Sequence, residues 1–214
     1  MSGLPPDLSS RSFKLKSIVK LFAAAIFAVS GSVAFAQETY VNVNPPQPTE
    51  PGKIEVLEFF SYGCPHCAVL EPMVAEWKKD LPSDVTFSSV PVAFNAGMKP
   101  LQQLFYTLQA LGREDLHPEV FNAIHSDGKR IFTKEAIVDW AASQGLDRSA
   151  FLATMDSFGV ASKMTRADQL VEGYVIRGTP SIAVDGRFVT SPTEAGGYQQ
   201  TLEVASELIE RAGS

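Results

Sequence analysis

The sequence predicts an α/β fold in which a strand–helix–strand unit and a terminal strand–strand–helix unit flank a block of helices. Three observations carry this. The run Ile54–Phe60 is nearly continuously apolar, which suits a strand buried on both faces. From Cys64 the period changes, and Cys67, Leu70, Val74 and Trp77 recur at three- and four-residue steps, the mark of an amphipathic helix. After Gly178 the strand pattern returns as two short runs separated by Asp185 and Gly186, a strong hairpin signal.

Composition bounds the rest. A chain of 214 residues is long enough for one domain, or one domain with an insertion, and can bury a sizeable core. With 45% hydrophobic and 20% charged residues it is not a disordered chain. The formal charge of −6 supplies no basic face, so no nucleic-acid partner is expected. Two cysteines cannot build a disulfide framework or fill a four-ligand zinc site alone, so they act as a pair and no metal is expected.

Taken in order, Arg11, Lys14, Lys16 and Lys20 form a positive region, followed by an apolar run over 21–29 and then Ala34-Phe35-Ala36. Charge, a short apolar stretch and small-x-small make a secretory signal over 1–36, cleaved after Ala36. The apolar run falls short of the roughly 20 residues that cross a bilayer, and an uncleaved anchor is the alternative. Removing 1–36 leaves 178 residues with 14 basic and 23 acidic side chains, a charge of −9. Export would place the cysteines where thiols can be oxidised. Residues 37–52 hold Pro45, Pro46, Pro48 and Pro51 and read as an extended Pro-rich tail.

The strand over 54–60 comes next, then the helix opened by Cys64, with Pro72 inside it removing one backbone donor and expected to kink it. A second strand over 85–92 completes a βαβ unit. A helical insertion of about four helices follows, over about 98–176. Leu101, Leu104, Phe105, Leu108 and Leu111 make one apolar face, and 118–125 is a shorter candidate helix. Ala136, Ile137, Trp140 and Ala141 make another, with Thr133 as its cap. Phe151, Leu152 and Met155, then Ala167, Leu170, Val171 and Tyr174, continue the pattern. Strands over 180–184 and 187–190 and a helix over 201–212 close the chain.

The chemistry sits at Cys64-Pro65-His66-Cys67, directly after a buried strand and at a helix start. Free N–H groups and the dipole at a helix start favour thiolate over thiol. Cys64 stands at the helix end and is expected to be the exposed nucleophile. Cys67 lies one turn in, on the face of Leu70 and Val74, and is expected to be shielded. A protonated His66 would stabilise the thiolate and hence the reduced pair, and a pair stabilised when reduced is the stronger oxidant. A structural disulfide is the bland reading, but so small a loop removes little chain entropy. Half a metal site with His117 or His125 lacks ligand-like spacing, and both histidines read as surface residues. Glu58 shares a strand face with Val56 and Phe60, and is either a buried acid able to relay protons to Cys67 or a strand-end acid reaching water. Pro180 stands at the first residue of a strand, where proline is tolerated.

These residues resemble the DsbA family of periplasmic thiol:disulfide oxidoreductases, within the thioredoxin-like superfamily. The likeness rests on Glu58-Phe59-Phe60, on Cys64-Pro65-His66-Cys67, on the helical block and on Gly178-Thr179-Pro180, and it covers 53–213. It implies a thioredoxin-like fold with an inserted helical subdomain, a cis Thr179–Pro180 bond that docks substrate, and Glu58 as the buried acid. It also implies donation of the Cys64–Cys67 disulfide to reduced, unfolded exported proteins in the periplasm. Re-oxidation would come from a DsbB-type quinone-linked inner-membrane oxidase, with no bound cofactor and a monomeric enzyme. Thr179 replaces the Val of the best-known member, and Ser89 stands where some members place a Lys near the buried acid. The rivals are a reductase or isomerase on the same fold, for which a separate dimerisation domain is missing, and a non-catalytic peptide- or metal-binding module.

Overall fold

The computed structural model describes residues 38–214, so the expected signal over 1–36 lies outside the described residues. A five-stranded mixed sheet forms the centre, in the order β1-β5-β4-β2-β3. Here β1 is Val41–Asn42, β2 is Ile54–Phe60, β3 is Val85–Pro91, β4 is Ser181–Val184 and β5 is Phe188–Thr190. The interior strand β2 pairs parallel with β3 and antiparallel with β4, and with apolar clusters on both faces of the sheet its residues are buried almost throughout.

Helix α1 (Pro65–Trp77) crosses from β2 to β3 and runs on through Pro72. Between β3 and β4 come α2 (Lys99–Ala110), α3 (His117–Phe121), α4 (Lys134–Ser143), α5 (Arg148–Met155) and α6 (Phe158–Gly173). The short α7 (Pro192–Ala195) and the long α8 (Tyr198–Gly213) end the chain. Side-chain caps start three of the inserted helices. Thr133 accepts from the Ala136 N–H, Asp147 from Ala150 and Ser157 from Val160.

Two apolar clusters flank the sheet. One joins Val56, Ile182 and Val184 to Leu70 and Val74 of α1 and to Leu202, Ala205 and Leu208 of α8. The other joins Leu57, Phe59 and Phe60 to the inserted helices through Leu104, Leu108, Ile137 and Phe151. The architecture is therefore a thioredoxin-like sheet with an inserted helical subdomain.

Residues 38–52 are not a free extended tail: the segment bends at Asn44–Pro45, whose peptide is cis, and turns at Pro51–Gly52. Val41–Asn42 pairs antiparallel with β5, and the Val43 N–H donates to the Arg187 carbonyl at 2.8 Å. The sheet gains an edge strand that a two-residue pattern in the sequence could not announce. At the β4–β5 turn Asp185 and Gly186 both adopt positive φ, 53° and 67°, as a two-residue hairpin of this type requires. The Gln47 carbonyl crowds the place where a side chain on Gly186 would sit, a second reason for glycine there.

Candidate active site

Cys64 occupies the N-cap of α1 in extended geometry, with Pro65 at the first helical position, where a missing N–H is harmless. The preceding loop turns tightly, the Cys64 N–H donating to the Ser61 carbonyl at 3.0 Å. This geometry leaves Cys64 half-buried and Cys67, one turn in, only 1% exposed. Both cysteines are free thiols.

The two sulfurs are electrostatically unlike. A hydrogen bond from the Cys67 thiol, then backbone N–H groups at the helix start and the Thr179 side chain, pull Cys64 down to about 5 against partial burial. Cys67 is pushed far the other way, because it donates to Cys64 and is desolvated. As a thiol, Cys64 donates to the Thr179 carbonyl at 3.3 Å, a contact that favours the proton but is outweighed. The Ser61 N–H points at Cys67 Sγ, 3.5 Å away. At neutral pH the reduced site thus holds one thiolate, at Cys64, and one thiol, at Cys67.

The Thr179–Pro180 peptide is cis, and its threonine carbonyl meets Cys64 Sγ at 3.3 Å across the site. A groove of about 690 Å³ opens beside it, lined by His66, Tyr174, Thr179, Pro180, Val189 and Tyr198 among others. His66 is exposed, and its Nδ1 lies 2.6 Å from the Tyr198 hydroxyl. Tyr198 has no motif of its own in the sequence, and only the fold brings it to His66.

Glu58 is only 2% exposed, so of the two expectations for it the structure chooses the buried acid. Burial, and then repulsion from Glu71, push its carboxyl up to about 8. The Ser89 hydroxyl, paired across β2–β3, donates to Glu58 Oε2 at 3.0 Å and pulls weakly the other way. The reading of His117 as a surface residue is overturned, while His125 is exposed as the sequence suggested. His117 is buried between Tyr62 and Glu71, and His125, although exposed, reaches the Tyr62 carbonyl with its Nε2 at 2.7 Å. Isolated histidines carry no period, so partners far along the chain decided their place.

A thiol pair of opposed acidity at the first helix of a βαβ unit, faced by a cis-proline on the adjoining ββα unit, defines a thioredoxin-like dithiol–disulfide exchange protein. Residues 83–201 match the DSBA-like thioredoxin domain family model. The chain is 56% identical over 198 residues to the thiol:disulfide interchange protein DsbA of Bordetella parapertussis, covering 92% of this chain and 94% of that one. An overlap of that length necessarily spans the dithiol. The Pseudomonas aeruginosa protein of the same name is 40% identical over 82% of this chain and 84% of that one. Among solved structures, Pseudomonas aeruginosa DsbA superposes with a TM-score of 0.78 at 39% identity, over 81% of this chain and 92% of that chain. Xylella fastidiosa DsbA gives 0.75 at 28% identity, over 81% and 94%. The chain belongs to the DsbA family and is a thiol:disulfide oxidoreductase.

Proposed function

We propose that the chain is a periplasmic oxidase that donates the Cys64–Cys67 disulfide to newly exported proteins. A substrate thiolate attacks Cys64 Sγ, the Sγ–Sγ bond breaks, and Cys67 leaves and takes up a proton. The mixed disulfide is held against Thr179 and Pro180. A second substrate thiolate then attacks the substrate sulfur, and Cys64 departs as thiolate, leaving the enzyme with two more electrons and the substrate with a disulfide.

The observation that carries the reading is the contrast between the two sulfurs, Cys64 at about 5 and Cys67 held as a thiol. A low-pKa sulfur leaves readily, and its stability in the reduced state makes the pair an oxidant. In this reading His66 and Pro65 shape the helix start, and Glu58, buried with its carboxyl held up at about 8, serves as the proton store for Cys67. Reduced exported polypeptides are the substrates, and a DsbB-type quinone-linked membrane oxidase returns the disulfide.

Equilibration of the purified protein with glutathione buffers tests the direction. The reading expects a potential near that of the glutathione pool or more oxidising, and complete loss of turnover in Cys64→Ser. A strongly reducing potential would make the pair a reductant or a structural bridge.

A further inference from the structure

Two histidines that the exchange steps leave unused both reach one residue of the active-site loop, Tyr62. His117 is 9% exposed, and its ring sits among Phe60, Tyr62, Phe105 and Phe121, with centroids 5.0, 5.2, 5.5 and 5.4 Å away. Its Nδ1 lies 2.7 Å from the Tyr62 hydroxyl and its Nε2 lies 3.2 Å from Glu71 Oε2. A carboxylate only accepts, so Nε2–H donates to Glu71 and Nδ1 accepts from the tyrosine O–H. Both ring nitrogens are then satisfied in one orientation.

His125 holds the other end of the same residue. Its Nε2–H donates to the Tyr62 backbone carbonyl at 2.7 Å, and its ring stacks on Phe121. Eight residues of regular α-helix make about 2.2 turns, which would carry His125 roughly 80° past His117. The chain instead forms a wide turn over Asn122–Ser126, closed by the Asp127 N–H on the Asn122 carbonyl at 2.9 Å. A wider turn winds less per residue and brings His125 back to the side of His117.

Tyr62 is therefore gripped at hydroxyl and carbonyl by two points of the helical insertion. Its neighbour Ser61 presents its N–H to Cys67 Sγ and its carbonyl to the Cys64 N–H. We infer that His117 and His125 are positioning residues for the dithiol, holding Tyr62 so that the Ser61 N–H stays on Cys67. In the reduced pair Cys67 shares its thiol proton with the Cys64 thiolate, so its sulfur is richer in electrons than a disulfide sulfur and gains more from the Ser61 amide donor. The grip therefore stabilises the reduced form and strengthens the oxidant. The inference rests on Cys64–Cys67 being the redox pair.

The test is the glutathione equilibrium, disulfide plus two glutathiones against dithiol plus glutathione disulfide, for wild type, Tyr62→Phe, His125→Leu and His125→Gln. Tyr62→Phe keeps the buried ring and loses only the hydroxyl, and Gln keeps an N–H donor of similar reach. Tyr62→Phe and His125→Leu are expected to need about threefold or more glutathione squared over glutathione disulfide for half-reduction, about 14 mV at 29.6 mV per tenfold. His125→Gln is expected to return to within about 1.5-fold of wild type, well inside that threefold, or 14 mV, shift. A merely structural role lowers the stability of both redox forms alike and leaves this ratio unmoved. An unchanged or lowered ratio in Tyr62→Phe and His125→Leu, or a His125→Gln as shifted as His125→Leu, overturns the inference. A wild type that never equilibrates with glutathione overturns the exchange reading instead, and this one with it.

Discussion

Ser89 and Glu58 face each other across the parallel β2–β3 pair, and the serine hydroxyl donates to the buried carboxyl at 3.0 Å. That bond favours the carboxylate, yet burial and the nearby Glu71 prevail and hold the carboxyl up at about 8, against an ordinary 4.5. The folded protein therefore binds this proton more tightly than the unfolded chain does. Stability from this group is fully present below about pH 4.5 and is lost as pH rises through about 8. At roughly 1.4 kcal/mol per pKa unit the loss is a few kcal/mol. Glu58→Gln keeps an acceptor for Ser89 and cannot ionise. Its melting temperature is expected to fall less than that of wild type between pH 5 and 8, in parallel thermal melts. Parallel curves for the two proteins would mean that Glu58 is ionised throughout.

The reading of the sequence succeeded where a signal is local. The apolar run of β2, the helical steps of α1 and the Asp185–Gly186 turn each lie within a dozen residues, and each fixes an element. Alternation also put Glu58 on the face of Val56, though it could not say what packs on that face. The failures share one cause, which is partners remote in sequence. His117 meets Tyr62 55 positions away and Glu71 46 away, and Tyr198 meets His66 132 away. No period marks such pairs. The strand Val41–Asn42 exists only because β5 offers it an open edge.

That edge strand has a measurable worth. Beyond the Val43 contact, the Gln47 N–H donates to the Gly186 carbonyl at 2.8 Å, and the Thr190 hydroxyl to the Thr39 carbonyl at 2.7 Å. Tyr40 packs edge-on against Phe188 at 5.5 Å. At about 1 kcal/mol net per hydrogen bond, a chain starting at Pro48 is expected to lose about 2–4 kcal/mol relative to one starting at Gln37. That corresponds to roughly 5–10 °C in melting temperature. Because Val41–Asn44 also lines the groove beside Pro180, the shortened chain is expected to bind a reduced peptide more weakly. Equal melting and equal binding would make β1 ornamental.

The helical insertion shares its core with one face of the sheet. Phe151 of α5 is fully buried within the larger apolar cluster. Phe151→Ala is expected to cost about 3–5 kcal/mol in denaturant unfolding. The cavity weakens oxidised and reduced forms alike, so the glutathione midpoint is expected to stay put. A moved midpoint would show that packing in the insertion discriminates between the redox forms.

Cys67 is the largest single influence on Cys64, through the thiol proton it donates. Thiolate absorbance in reduced wild type is expected to titrate with a midpoint of about 5. In Cys67→Ala the backbone N–H groups of the helix start and Thr179 remain, so the thiolate survives but the midpoint rises. The sign for stability follows. A thiol depressed from 9.0 to about 5 stabilises the folded reduced form above pH 9, and this contribution is lost as pH falls through 5. The oxidised form has no thiol to titrate. The stability of the reduced form relative to the oxidised form is therefore expected to climb between pH 5 and 9, by less than the full linkage slope because Cys64 is half open to water. Chemical unfolding of both forms across that range measures it. A midpoint for Cys67→Ala equal to that of wild type would assign the thiolate to the helix start alone, and the asymmetry of the pair would then have no part in making Cys64 the leaving group.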